Sequence, residues 1–161
     1  MSIEFFHLLI LIIIANGSPI IIRVLLKDRF DLAVDFDKKL ADQQPIFGRS
    51  KTWRGILSTL AFTPIAAWLL TYTPETGLLI ASYAVTGDLL SSFIKRRLSM
   101  PPSSMAPLLD QIPESLFPAI MMMQTFELTI SSLMLLVLTF VITELFLSYI
   151  LYRLGIRKRP Y

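Results

Sequence analysis

Apolar residues in this chain gather into long runs broken by polar stretches, rather than recurring at the short period of a soluble amphipathic element. The first run, 3–26, reads IEFFHLLILIIIANGSPIIIRVLL. At about 1.5 Å per residue it is long enough to cross a bilayer with some tilt. Asn16, Gly17, Ser18 and Pro19 interrupt it. The donor that Pro19 lacks and the loose backbone of Gly17 predict a broken or kinked helix there. Further apolar runs occupy 55–72, 77–94 and 130–152, and a shorter segment at 113–126 carries Pro113 and Pro118. Polar loops at 27–54 and 95–112 separate them, with a turn at Thr73-Pro74-Glu75-Thr76. The pattern predicts one all-α integral membrane domain over 1–161, with transmembrane helices roughly at 3–26, 55–72, 77–94, 113–126 and 130–152.

Composition agrees: 54% of residues are hydrophobic, only 17% are charged, and the mean hydropathy is +0.64. The absence of cysteine excludes disulfides, thiolate metal sites and cysteine nucleophiles, and the single histidine, His7, excludes mechanisms that need two. Glu4 stands where a signal peptide would carry cations, so the first helix is expected to be retained. Charge placement then decides the topology. All fifteen Lys and Arg residues lie in Arg23–Arg54, Lys95–Arg97 or Arg153–Arg159, whereas the stretches around Glu4, Glu75 and Glu127 hold none. The positive-inside tendency puts the N-terminus outside, and the two long loops and the C-terminus in the cytoplasm. That requires an odd number of crossings, so the segment at 113–126 is expected to span.

The stretch Gly87–Gln111 carries the candidate chemistry. On a helix Asp88, Ser91, Ser92 and Lys95 share one face. A carboxylate two turns inside a membrane helix marks a functional site by default; the structural alternative is an ion pair of Asp88 with Lys95 or Lys51 that ties helices together. Lys95, Arg96 and Arg97 by themselves are an ordinary topology determinant. With Asp88 on one side and Asp110 on the other, they suggest a metal-and-phosphate site. In the segment Phe47–Gly55, Gly48 and Gly55 bracket Arg49, Lys51, Thr52 and Arg54 just before a helix start, a natural phosphate cradle that is not a Walker A loop. The alternative there is a capped turn with Trp53 at head-group level. Glu144 lies mid-span in the last run, facing the bundle or a second copy. Met121–Met123 reads as packing, and no internal repeat supports a transporter.

Taken together, these stretches resemble the CDP-archaeol synthase-like family, relatives of the CDP-diacylglycerol synthases. The matching residues are Ala15-Asn16 with Pro19, Asp35-Phe36, Phe47-Gly48 with Lys51-Thr52-Trp53-Arg54-Gly55, Gly87-Asp88-Leu89, Ser92 through Leu98, and Pro107-Leu108-Leu109-Asp110-Gln111. The resemblance implies a cytidylyltransferase that moves CMP from CTP to a lipid phosphate entering from the inner leaflet, with release of pyrophosphate. It implies Mg²⁺ as cofactor, no nucleic-acid partner, a homodimer, and an active site facing the cytoplasm. Asp88 and Asp110, with Glu114, are then expected to hold the ion. Lys51, Arg54, Lys95, Arg96 and Arg97 are expected to hold the phosphates, and Asn16, Thr52, Ser92 and Gln111 to orient the substrates. Asp88, Lys95, Arg96 and Asp110 would be the catalytic set. Three positions depart from the family: Asp42-Gln43-Gln44-Pro45 replaces Asp-Gly-Arg-Arg, Ser50 replaces a glycine, and Pro113 stands where relatives carry an acid, with Glu114 next. Pro113 is the feature that favours the alternative of a non-catalytic membrane protein binding anionic lipid or nucleotide.

Overall fold

Four of the five helices begin on a serine or threonine whose side chain accepts a backbone N–H of the first turn. A computed structural model describes residues 2–27, 29–102, 104, 106 and 108–156. In it Ser2 caps α1 (Ile3–Leu26), Thr52 caps α2 (Trp53–Leu69), Thr73 caps α3 (Pro74–Arg97) and Thr129 caps α5 (Ile130–Arg153). The remaining helix, α4 (Gln111–Met121), starts at Asp110 without a side-chain cap bond. These caps explain why α2 and α3 start earlier than their apolar runs: the hydroxyl that satisfies the orphan donors precedes the run by a few residues. Asp28, Pro107 and the basic tail Arg157–Arg159 lie outside the described residues.

Two expectations are corrected. Helix α1 runs unbroken through Asn16–Pro19. Pro19 withholds the N–H that would bond to the Ala15 carbonyl, but that oxygen accepts Thr59 Oγ1 from α2 at 2.9 Å and Ser18 Oγ at 3.2 Å. Hydroxyls from a neighbour and from its own turn replace the lost bond, as membrane helices require. Helix α4 has 11 residues, about 16 Å, too short to cross about 30 Å of hydrocarbon as a helix. Among the described residues, only α1, α3 and α5 are long and apolar enough to span alone.

The chain nevertheless passes from one end of the bundle to the other through α4 and the turns at 122–127. At one end Lys95 pairs with Asp110; at the other, Tyr72 stacks on Phe126 with ring centroids 4.8 Å apart and meets His7 Nδ1 through its hydroxyl at 3.1 Å. Helix α4 packs against both α3 and α5, and α2 packs against α1 and α3.

The interior has two halves of opposite character. Around Phe5, Leu8, Ile12, Ile80, Phe126, Leu136 and Phe140 it is a fully apolar core. Toward the other end it buries Ser58, Thr59, Ser91, Ser92, Lys95, Arg96, Gln111, Glu114 and Ser115. Buried charge in a membrane protein is expensive unless paired, so the second half marks the candidate site.

Candidate active site

Three elements bring charge to one point. Lys51, one residue before the Thr52 cap, reaches Asp88 on α3 and forms an ion pair with it. Glu114 on α4 brings its carboxyl against that of Asp88. A second pair lies beside the first: Lys95 Nζ is 2.6 Å from Asp110 Oδ1, with Lys95 buried. Burial works to lower the Lys51 ammonium, but the charges of Asp88, Glu114 and Asp110 and its bond to Asp88 outweigh it and hold it above its ordinary value. Lys51 is therefore a fixed cation facing three carboxylates.

Gly87 makes this approach possible. A Cβ there would overlap the Pro113 carbonyl and crowd the Glu114 N–H, so the α3 and α4 backbones touch at that point. The close approach sets Glu114, one residue beyond Pro113, against Asp88 without displacing the helix.

The three arginines of the expected phosphate set do different work. Arg54 donates to the Lys27 and Arg29 carbonyls at 2.5 and 2.6 Å and to Asp31 Oδ1 at 2.8 Å, which fastens the start of the loop to α2. Arg96, fully buried, donates to the Pro101 carbonyl at 2.9 Å and the Phe47 carbonyl at 3.3 Å. Arg97 pairs with Asp42 at 2.8 Å and donates to the Pro45 carbonyl at 2.5 Å. Of the polar residues, Thr52 accepts the Gly55 N–H, Gln111 Oε1 accepts the Leu108 N–H at 2.9 Å, and Asn16 donates to the Ile12 carbonyl at 3.0 Å. Ser92 is buried on the Asp88 face, while Ser91 donates to the Asp88 carbonyl. The structure gathers Lys51, Asp88, Lys95, Asp110 and Glu114 at the centre, and ties Arg54 of α2 and Arg96 and Arg97 of α3 to carbonyls of the surrounding loops.

Two residues gain roles that the sequence left open. Asp35 is buried and accepts three backbone N–H groups, from Gly48 at 2.7 Å, Phe47 at 2.9 Å and Asp37 at 3.1 Å. It folds the 35–48 segment into a closed turn that delivers Lys51. Gly48 sits there at φ +87°, and a Cβ on it would press on Arg96 Nη1 at 3.1 Å. An acid flanked by turn-forming residues was the available signal. Glu144, mid-span on α5, lines a cleft between α1 and α5 together with Asn16 and Ser148; one sequence cannot show which α5 face meets α1.

Oxygen donors of this kind suit a hard divalent cation. Among the described residues no group of three His, Asp or Glu side chains is arranged to enclose an ion. Mg²⁺ commonly takes one or two carboxylates and completes its shell with water and substrate phosphates, so the Asp88–Glu114 pair fits an ion that arrives with a nucleotide.

A sequence profile of the CarS-like CDP-archaeol synthase family matches residues 70–161. The chain is 40% identical over 107 residues to the CDP-archaeol synthase of Pyrococcus furiosus and 33% identical over 104 residues to that of Hyperthermus butylicus. These alignments cover 60% and 61% of the chain, and 60% and 59% of the relatives' own length. With the CDP-archaeol synthase of Pyrobaculum calidifontis it is 33% identical over 157 residues, 92% of this chain and 91% of that one. A solved structure described as an intramembrane enzyme for archaeal membrane lipids biosynthesis superposes with a TM-score of 0.73 at 27% identity, covering 86% of this chain and 89% of its own. Sequence blocks, helical architecture and all three comparisons agree: the chain is an integral membrane protein and belongs to the CarS-like CDP-archaeol synthase family.

Proposed function

We propose that this protein is a CTP-dependent cytidylyltransferase that transfers CMP to a lipid phosphate. The observation that carries the reading is the meeting of two lysines and three carboxylates from the α2 start, α3 and α4 at the polar end of the bundle. A phosphate oxygen of the lipid attacks the α-phosphorus of CTP, a new P–O bond forms, and the bond to the β-phosphate bridging oxygen breaks to release pyrophosphate. The protein contributes position and charge rather than covalent chemistry. Lys51 and Lys95 neutralise the two anionic substrates, and their carboxylate partners keep them extended toward the reaction point until phosphate arrives. Asp88 and Glu114, with Asp110 adjacent, would hold Mg²⁺, which supplies charge neutralisation on the triphosphate. Arg54, Arg96 and Arg97 act as positioning residues: through loop carbonyls they fix the turn that presents Lys51.

The N-terminus lies outside, and the loops at 27–54 and 95–112 face the cytoplasm, where CTP is available; the concentration of cations at that end supports this orientation. A Glu114 carboxylate beside Asp88 supports the catalytic reading over a non-catalytic binder, despite Pro113. Incubating detergent-solubilised protein with α-labelled CTP, Mg²⁺ and a panel of lipid phosphates, headed by the archaeol type that names the relatives, tests the reading. Label should appear in the lipid phase for at least one member. No labelled lipid from any of them overturns it.

A further inference from the structure

The polar loop at 27–54 carries an aromatic ring that its own fold leaves uncovered. Phe36 is 56% exposed, and its ring leans on that of Trp53 with centroids 6.4 Å apart. Trp53 opens α2 and heads an outward stripe of that helix. Leu57, Ala61, Ile65 and Trp68 follow at steps of four, four, four and three residues, all of them exposed. In an integral membrane protein such a stripe faces lipid, and its two tryptophans lie at the two ends of α2, the level of interfacial rings. Phe36 therefore carries the lipid-facing surface from the helix onto the loop.

Charge on the same corner has a matching sense. Among the described residues, each aspartate of the loop is engaged within the chain. Asp31 pairs with Arg54, Asp37 with Arg49 and Asp42 with Arg97, while buried Asp35 accepts backbone N–H groups. Lys38 and Lys39, directly after the Phe36 turn, are exposed. With Asp37 neutralised by Arg49, the two lysines give the corner a positive face beside its rings.

We propose that the Phe36–Leu40 corner docks on anionic phospholipid head groups of the leaflet at the polar end of the bundle. The rings of Phe36 and Trp53 enter the interface, and the ammonium groups of Lys38 and Lys39 meet lipid phosphates. An acidic protein would answer the lysines but not the rings, which continue a membrane-facing helix stripe. The docked corner is also tied to Lys51. The Trp53 N–H donates to the Leu32 carbonyl at 3.0 Å, and the Val34 N–H to the Lys51 carbonyl at 2.9 Å. Asp35, next to Phe36, closes the turn on Phe47 and Gly48. Membrane charge thus bears on the segment that presents Lys51, through lipids that need not be substrates. The inference stands apart from the cytidylyltransferase reading, and its test uses no CTP.

The full chain with Phe36→Trp, Trp53→Phe and Trp68→Phe keeps its sole tryptophan at position 36. It is reconstituted into vesicles of phosphatidylcholine alone or mixed with phosphatidylglycerol. With phosphatidylglycerol the emission should shift to the blue, and lipids brominated near the acyl carbonyl should quench it. Acrylamide quenching should fall at least about threefold relative to phosphatidylcholine alone, and added salt should reverse part of that fall. Lys38→Gln with Lys39→Gln should remove the difference between the two vesicles, with helical content by circular dichroism unchanged. A nitroxide on Ala41→Cys, in a chain without native cysteine, reads the contact without touching either tryptophan. It should lose collisions with an aqueous nickel chelate when phosphatidylglycerol is present. Equal accessibility of both probes in the two vesicles, or shielding that survives loss of both lysines, would overturn the anionic docking surface.

Discussion

Asp88 is the residue on which the centre turns, because it meets a cation from α2 and an acid from α4 at once. Asp88→Asn should abolish label transfer from CTP while the protein still expresses and elutes as the wild type does; retained transfer would remove Asp88 from the site. Lys51→Met strips Asp88 of its cation. Breaking a buried pair costs about 3–5 kcal/mol, and the partial exposure of both side chains here places the expected loss nearer 2 kcal/mol, measured as thermal or denaturant stability in detergent. The pH dependence follows from the raised Lys51 value. A lysine held higher in the folded state than when unfolded contributes fully below its unfolded value of about 10.4, and the contribution is lost as pH rises through the folded value. The stability difference between wild type and Lys51→Met should therefore stay constant from about pH 6 to 9 and shrink only in strong alkali. Asp88 and its Lys51 partner were legible in the sequence as an intramembrane acid and a cation near a helix start. The assignment of arginines to loop carbonyls was not, because a guanidinium's partner depends on loop closure that no local pattern encodes.

At the scale of elements, the α3–α4 contact decides whether the acids meet. Gly87→Ala forces the two backbones apart at Pro113 and should cost about 1–3 kcal/mol through overpacking. It should also depress transfer far more than Gly77→Ala, which overlaps Pro64 of α2 at the distant end of α3. Equal effects on transfer from the two variants would show that the Gly87 contact does not position the centre. Helix number and order were readable from apolar runs, and two of the four capping hydroxyls, Ser2 and Thr129, immediately precede those runs. The two misjudged elements share a cause. Pro19 and the prolines of α4 carry strong local meaning, but a neighbouring helix overrides it: Thr59 completes α1, and packing on α3 and α5 lets a short α4 suffice.

Across the whole molecule, the division of the interior into an apolar half and a charged half matches the uneven distribution of cations along the sequence. The family resemblance had been carried by blocks spread between residues 15 and 120, and the fold brings those from three elements and two loops to one end. A chain without native cysteine allows the orientation to be read directly. Single cysteines at Lys38 and Ser99 should react with a membrane-impermeant maleimide only from the cytoplasmic side, and those at Glu75 and Glu127 only from the outside. Reaction of positions 99 and 127 from the same side would show that α4 and its following turns do not traverse.

The Ala15 carbonyl bears on how the protein is made. Its best hydrogen bond comes from Thr59, a residue translated more than forty positions after it. Until α2 docks, α1 holds a carbonyl answered only by Ser18 within a hydrocarbon medium that offers no water. Helices α1 and α2 should therefore leave the insertion machinery as a hairpin rather than in turn. Nascent chains truncated before Thr59 should leave α1 more readily extracted by alkaline carbonate than chains extended to Leu69, and Thr59→Val should erase that difference.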